Sequence, residues 1–243
     1  MRPVLSHDQE RLRGFEMDGK PRLVRGVAGS GKTVVLGHWL RKTLDRVEGK
    51  PSAKIWAVFA NQSLKHLLHV TIEVAWREDK GDLPFPWHRV ELWHVREVLD
   101  LLLREVGKNM GQFQFDDDRA AQAYLDAKKG QEIAPRCHAL FADEGQDLGP
   151  NTLKLITALV EHGDSEQPNS RSVNIFHDNA QNVHGRSTPK WSEMGLDMRG
   201  RSTVMKESFR ATKPIAEFAH SRVTTRKSSS SLPWSPSSPR ANH

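Results

Sequence analysis

The sequence predicts an α/β protein with a parallel sheet flanked by helices. Short apolar runs end in turn or polar residues and are followed by helical patterns, a rhythm typical of β-α-β units. One glycine-rich stretch, "RGVAGSGKT", lies between an apolar run and a helical pattern. With 243 residues, of which 37% are hydrophobic, the chain is long enough to bury a core.

The first elements follow from apolar runs and helical stripes. We expect a strand at residues 23–27, directly before the glycines, and a helix at 33–47. The continuous apolar run "KIWAVFA" at 54–60 predicts a strand buried on both faces, followed by a helix at about 63–76. The stripe of the first helix consists of Val34, Val35, Leu36, Trp39, Leu40 and Leu44.

The remaining elements continue the alternation. The segment "RVELWHV" is expected to be a strand, followed by a helix at 95–106, and residues 107–118 to be a surface excursion. Two further strands are expected in "HALFADE" and "SVNIFHD", and each run ends in an acid. Ligands of open α/β sheets bind at the carboxyl ends of the strands, so this edge is the expected site.

Composition favours a protein of a reducing compartment. Cys137 is the single cysteine, which excludes an internal disulfide and fits the cytoplasm. No stretch approaches the roughly 18 apolar residues of a membrane span, so we expect no membrane partner. The net charge of +6 arises near the chain ends. It fits solvated termini as well as a phosphate-binding track.

The glycine-rich stretch fits the P-loop, or Walker A, pattern G-x-x-x-x-G-K-[ST]. Without β-carbons, such a loop turns its backbone N–H groups onto phosphate oxygens, at the positive end of the following helix. The lysine neutralises the β- and γ-phosphates, and the threonine hydroxyl ligates Mg²⁺. The alternative is a glycine turn before an ordinary helix. The residues expected to bind the nucleotide here are Gly26, Ala28, Gly29, Ser30, Gly31, Lys32 and Thr33.

The acidic end of "HALFADEGQDL" supplies the other half of such a site. Asp143 ends an apolar run, so we expect it beside the phosphate loop as a second Mg²⁺ ligand. Glu144 is then the candidate general base for the attacking water. An N-cap or solvated turn before a helix near Asn151 is the alternative for this acid pair.

The strings "GVAGSGKT" and "DEGQD" together resemble the superfamily 1 helicases of the UvrD/Rep type. The resemblance implies a RecA-like domain that binds ATP and Mg²⁺ and couples hydrolysis to movement along single-stranded nucleic acid, DNA rather than RNA. It also implies two lobes that close on ATP. The two rivals are a P-loop ATPase that does not act on nucleic acid and a catalytically inactive binding module.

Weaker motifs follow in the family's order. The segment "LSHDQ" resembles its glutamine motif, which implies that Gln9 binds the adenine edge of ATP. "FHDNAQNVH" resembles the G-D-x-x-Q motif, with His177 in place of the glycine, and implies that Gln181 senses the γ-phosphate. "ESFRAT" resembles the N-[YF]-R-S motif, so Arg210 is expected to reach the γ-phosphate from the second lobe.

Two segments resemble nucleic-acid contacts of the family, "VFANQSL" and "LWHVREVL". The candidates for contacts with bases or sugars are therefore Phe59, Asn61, Trp93 and His94. For Phe59 and Trp93, burial in the core is an equal alternative. A pair of histidines three residues apart, His66 and His69, is too few for a metal site.

The resemblance also predicts how the chain is divided into domains. Residues 1–200 are expected to form the ATP-binding lobe and residues 201–220 the start of a second lobe. Residues 221–243 are rich in Ser and Pro and are expected to be a disordered tail. Because later motifs have no counterpart, we expect a truncated or frame-shifted helicase, or a fragment that uses a second lobe or protein partner from elsewhere.

Overall fold

The computed structural model of the protein describes residues 5–163, 170–178 and 191–206. The described residues form six α-helices and six β-strands. The helices are α1 (His7–Arg13), α2 (Lys32–Arg46), α3 (Leu64–Lys80), α4 (Val95–Glu105), α5 (Asp117–Ala127) and α6 (Pro150–Ala158). The strands are β1 (Arg22–Gly26), β2 (Ile55–Phe59), β3 (Val90–His94), β4 (Ala139–Ala142), β5 (Ser172–His177) and β6 (Ser202–Met205).

All six strands lie in one sheet, in the order β3-β2-β4-β5-β1-β6, and all neighbouring pairs are parallel. Parallel neighbours need long crossover connections, and most of the helices lie in these connections. The predicted α/β class, a parallel sheet flanked by helices, is confirmed, and the arrangement is consistent with a RecA-like domain.

Helices cover both faces of the sheet, so the hydrophobic core has two layers. One layer contains buried residues of α1, α2 and α3, such as Leu12, Trp39 and Ile72. The other contains buried residues of α4, α5 and α6, and Tyr124 and Ile156 belong to it. Strands β2 and β4 are buried at every position, which explains why their sequences are continuous apolar runs.

The strands and helices expected between residues 23 and 106 are confirmed in type, as are the strands in "HALFADE" and "SVNIFHD". The surface excursion expected at residues 107–118 is only partly correct. Met110 is 5% exposed and packs in the core, and Asp117 begins α5. The carboxylate of Asp116 caps this helix by accepting hydrogen bonds from two backbone N–H groups of its first turn.

Strand β6 begins two residues beyond the predicted end of the first lobe. It pairs in parallel with β1 at the edge of the sheet, so its four residues complete the same sheet. Its end is tied to α1, because Asp8 Oδ2 accepts a hydrogen bond from the backbone N–H of Lys206 at 2.8 Å. A boundary between two lobes therefore stays a prediction only for residues after Lys206.

Two predicted regions lie outside the described residues. These are residues 207–220, the rest of the predicted second-lobe start, and residues 221–243, the predicted tail. Among the helices that the structure describes, none combines the length and the apolar character needed to cross a membrane.

Cys137 offers a test of the core. The thiol is 1% exposed, and burial raises its pKa well above the usual range. Reaction with a thiol reagent therefore requires opening of the fold, and we expect labelling of the native chain to be slower than that of the chain in guanidinium chloride by about 10³-fold or more. Stopped-flow absorbance with an aromatic disulfide measures both rates. Similar rates in the two states would contradict the packing described here.

Candidate functional site

The glycine-rich loop connects β1 to the first turn of α2. Gly29 and Gly31 have φ angles of +77° and +83°, a left-handed conformation that disfavours residues with a β-carbon. Gly31 is also the residue that precedes the first turn of α2. Gly26 has no such angle, but a β-carbon there would lie 2.6 Å from Ser30 Oγ. Conformation and close packing together explain the glycines of the loop.

Lys32 lies within this loop. Its side chain is 5% exposed, and Nζ donates hydrogen bonds to the backbone carbonyls of Gly26 at 3.1 Å and Val27 at 3.3 Å. The first backbone N–H groups of a helix have no partner inside the helix and carry its positive partial charge. The loop, the helix end and the ammonium group therefore form a positive, donor-rich cradle that suits an anion.

Asp143 directly follows β4 and faces this cradle. Its Oδ2 accepts a hydrogen bond of 3.1 Å from Thr33 Oγ1, the first-turn hydroxyl of α2. The carboxyl group is 1% exposed, and its backbone N–H donates to the carbonyl of Val58 at 2.9 Å. The two predicted Mg²⁺ ligands, 110 residues apart in sequence, are thus in contact.

Burial raises the pKa of Asp143 to about 6, and the nearby carboxylate of Glu144 contributes to this shift. The hydrogen bond from Thr33 and the charge of Lys32 act in the opposite direction. A carboxylate that is costly to ionise gains from a nearby cation. A hydroxyl and a carboxylate are also oxygen donors of the kind that Mg²⁺ prefers, so this pair fits the metal.

Glu144 adopts a left-handed backbone conformation, with a φ of +51°. For a residue with a side chain, this conformation costs about 1–2 kcal/mol. Its carboxylate borders the cavity beside the phosphate loop, and Oε2 accepts a hydrogen bond of 2.6 Å from Gln146 Nε2. The side chain therefore lies where a general base could reach water beside bound phosphate.

Two residues at this edge were assigned no role from the sequence. Asp178, the residue after β5, is fully buried, and its Oδ2 lies 3.7 Å from Lys32 Nζ. Gln146 is 8% exposed and accepts a hydrogen bond from the backbone N–H of Asp178 at 2.8 Å. The sequence signal for Asp178 was its place at the end of the strand pattern "SVNIFHD". The sequence signal for Gln146 was its place in "DEGQD".

Gln9, predicted to bind adenine, contacts the phosphate loop. Its Nε2 donates to the carbonyl of Ser30 at 3.2 Å, and its Oε1 accepts from the backbone N–H of Ser6 at 2.9 Å. A β-carbon at Gly31 would collide with this amide group. Gln9 therefore supports the loop, and a contact with adenine stays a prediction.

A cavity of about 520 Å³ adjoins the loop, within the size range of ligand pockets. Gln9, Lys32, Thr33 and Glu144 line one part of it. Its other wall, formed by α2 and α3, is mostly apolar and consists of Val34, Leu64, Leu67, Val70, Val74 and Ala75, together with the polar residues His38, Thr71 and Glu78. A charged group at the loop and a flat apolar group along the helices would fit together in this space.

Of the four residues that resemble nucleic-acid contacts, two are buried, one is half-buried and one is exposed. Phe59 is fully buried in the core, and His94 is 6% exposed and caps α4. Trp93 packs against Trp56, with their ring centroids 5.6 Å apart. Asn61 is exposed just after β2, at the same edge of the sheet as the loop. The burial alternative is therefore correct for Phe59, whereas nucleic-acid contacts of Asn61, Trp93 and His94 stay predictions.

Gln181 and Arg210 lie outside the described residues. The ring of His69 stacks on Trp87 at a centroid distance of 4.1 Å. In the described ranges no three His, Cys, Asp or Glu side chains are grouped as metal ligands. A P-loop Mg²⁺ site needs no such group, because phosphate and water supply most of its ligands.

Comparisons with known proteins find similarity among solved structures. No family model matches the chain, and no curated protein matches it. Among solved structures, the chain is similar to the crystal structure of the Pif1 helicase from Candida albicans, with 14% sequence identity and a TM-score of 0.49. The match covers 90% of this chain and 43% of that one. The chain thus spans less than half the length of that structure.

The raised pKa of Asp143 predicts how stability depends on pH. Asp143 releases its proton near pH 3.8 in the unfolded chain and near pH 6 in the folded chain. Its ionisation therefore lowers the free energy of unfolding, progressively as the pH rises from 3.8 to 6 and by the full amount above pH 6. We expect Asp143→Asn, without Mg²⁺, to be more stable than the wild type near neutral pH by up to about 3 kcal/mol, since each pKa unit is worth about 1.4 kcal/mol.

Urea denaturation at several pH values measures this difference, which should shrink as the pH falls from about 6 toward about 4. Asp82→Asn is the control, because it makes the same substitution at an exposed residue. An Asp143→Asn difference that is independent of pH would contradict the buried environment of this carboxyl group.

Proposed function

We propose that the chain is the ATP-binding first lobe of a superfamily 1 helicase of the UvrD/Rep type. The observation that carries the proposal is the 3.1 Å hydrogen bond between Thr33 Oγ1 and Asp143 Oδ2. It joins the phosphate loop to a strand-end acid, the pair of groups with which P-loop ATPases hold Mg²⁺ beside the phosphates. The helicase type comes from the resemblance of the motifs.

In this proposal the loop binds the triphosphate. Backbone N–H groups of Ala28 to Thr33 and the ammonium group of Lys32 contact its oxygens, and Thr33 with Asp143 would hold Mg²⁺. When bound, Mg²⁺ supplies positive charge that offsets the charge of the β- and γ-phosphates. Lys32 exchanges its bonds to the carbonyls of Gly26 and Val27 for bonds to phosphate, so its donors stay satisfied.

Glu144 acts as the general base. As a water oxygen forms a bond to the γ-phosphorus, the bond from that phosphorus to the bridging oxygen breaks, and Glu144 takes the proton from the water. The products are ADP and phosphate. Gln181 and Arg210 are proposed to contact the γ-phosphate, the latter from the second lobe. Loss of such an arginine slows phosphoryl transfer by about 10³- to 10⁵-fold.

The proposed partner is single-stranded nucleic acid, DNA rather than RNA, in the cytoplasm. The exposed Asn61 supports the binding of nucleic acid. It lies at the carboxyl edge of the sheet, in the segment "VFANQSL" that resembles a motif for contacts with single-stranded nucleic acid. ATPase activity that a single-stranded oligonucleotide stimulates would support the helicase assignment. Activity that oligonucleotides do not change would favour a P-loop ATPase without helicase action.

Lys32→Ala tests the nucleotide site. The substitution removes a charge-assisted contact with phosphate, and we expect the affinity for Mg²⁺-ADP to fall by about 10- to 100-fold. Titration with a fluorescent ADP analogue measures it. Lys50→Ala, at an exposed lysine after α2, is the control. Because Lys32 is also a cation 3.7 Å from buried Asp178, a thermal melt must show that the variant is folded. Unchanged affinity in a folded Lys32→Ala variant would contradict the site.

Glu144→Gln separates binding from hydrolysis. The amide cannot accept the proton of the water, so we expect kcat to fall by about 10²- to 10⁴-fold while nucleotide affinity changes little. Glu132→Gln, at an exposed glutamate, is the matched control. Phosphate release in the presence of a single-stranded oligonucleotide measures kcat. A variant with wild-type turnover would exclude Glu144 as the base.

A further inference from the structure

The turn that carries Glu144 is fixed against β5. Gly145 follows Glu144, and a β-carbon on it would lie 2.7 Å from Ile175 Cγ2 and 3.3 Å from the carbonyl of Phe176. The turn therefore packs directly on the neighbouring strand, and the one-turn 3₁₀ helix Gly145–Asp147 follows. The backbone alone does not fix the carboxylate of Glu144, because three side-chain torsions still separate it from the turn.

Gln146 supplies the missing constraint with its two amide atoms. Nε2 donates to Glu144 Oε2 at 2.6 Å, and Oε1 accepts from the backbone N–H of Asp178 at 2.8 Å. These two partners fix which end of the amide is which, since a carboxylate only accepts and a backbone N–H only donates. A carboxamide meets both demands. A carboxylate at this position would repel Glu144.

The bond holds one carboxylate oxygen of Glu144 and leaves the other for a water. Oε2 is engaged by Gln146, whereas Oε1 has no hydrogen-bond partner within the described residues. Glu144 borders the cavity beside the phosphate loop. A base held by one oxygen keeps the orientation of the other, and misplacement by about 1 Å can cost about 10²-fold in rate.

The amide oxygen of Gln146 accepts its hydrogen bond from Asp178, a residue close to the phosphate-loop lysine. Asp178 directly follows β5, and its carboxylate lies 3.7 Å from the ammonium group of Lys32. Both side chains are almost completely buried. Gln146 therefore connects the residue proposed as general base with the strand end that faces the phosphate-loop lysine.

We propose that Gln146 is a positioning residue, which holds the Glu144 carboxylate at a fixed place relative to the phosphate loop. This inference rests on the proposed ATPase function, because Glu144 needs a fixed position only if it activates water. A merely structural glutamine would satisfy buried groups and affect stability, whereas a positioning residue also affects kcat without changing nucleotide affinity.

Gln146→Glu tests the inference. The new side chain still accepts the hydrogen bond from the backbone of Asp178 but replaces the donor toward Glu144 with a repelling carboxylate. We expect kcat of the oligonucleotide-stimulated ATPase to fall by about 10- to 100-fold, with the Kd for Mg²⁺-ADP within about twofold of wild type. Gln122→Glu is the matched control, because Gln122 Nε2 also donates to a carboxylate, that of Asp126 on the surface of α5. It should leave kcat unchanged.

A reciprocal exchange gives a readout that is independent of turnover. Glu144→Gln combined with Gln146→Glu restores one donor and one acceptor at the contact, so we expect the melting temperature lost in Gln146→Glu to be largely recovered, while kcat stays as low as in Glu144→Gln. Absence of this recovery would overturn the contact itself.

The outcomes also separate this inference from the proposed function. Wild-type kcat in Gln146→Glu, with an active wild-type protein, overturns the inference and leaves the ATPase assignment intact. Nucleotide affinity that does not depend on Lys32 overturns the proposed function. In that case the exchange still decides whether Gln146 holds Glu144.

Discussion

The hydrogen bond between Thr33 and Asp143 is the constraint on which the candidate site depends. Asp143 follows β4, and Thr33 lies in the first turn of α2, the helix that follows β1. Strands β4 and β1 flank β5, so the two residues meet because all three strands run in parallel and end at the same edge. This edge is where open α/β sheets bind ligands. A shift in the register of either β4 or β1 against β5 would separate the two oxygens. The contact between the two predicted Mg²⁺ ligands therefore depends on the pairing of β4, β5 and β1 in the middle of the sheet.

Three ionisable side chains at this edge are almost inaccessible to water, namely Lys32, Asp143 and Asp178. Burying charged groups costs free energy that nearby opposite charges offset only in part. A fold selected for stability alone would place apolar residues here. Buried charges of both signs beside a cavity are characteristic of sites that bind a charged ligand, and they leave the protein less stable than its core could make it.

The sequence predicted the parts of the structure that short patterns encode. The strand, glycine loop and helix at residues 23–47 are contiguous, and the buried strands are apolar at every position, so local sequence was sufficient. Strand β6 was missed because its two apolar residues, Val204 and Met205, are adjacent, so its sequence shows no alternation of apolar and polar residues. Helix α5 was missed, and its start was concealed because Asp116, its cap, lies in a run of three acids that resembles a solvated turn. Gln146 acts through a partner 32 residues away, and no local pattern shows which way its amide points.

Helix α1 contacts both the phosphate loop and the end of β6 through two consecutive residues. Gln9 holds the loop by the carbonyl of Ser30, and Asp8 holds the backbone N–H of Lys206. The capping box at the start of this seven-residue helix ties Ser6 and Gln9 to each other, so the hydrogen bond to the loop begins from an ordered helix end. A change in the position of the loop relative to Lys206 would have to stretch one of these two hydrogen bonds. Helix α1 therefore couples the conformation of the phosphate loop to the last residue of the described chain.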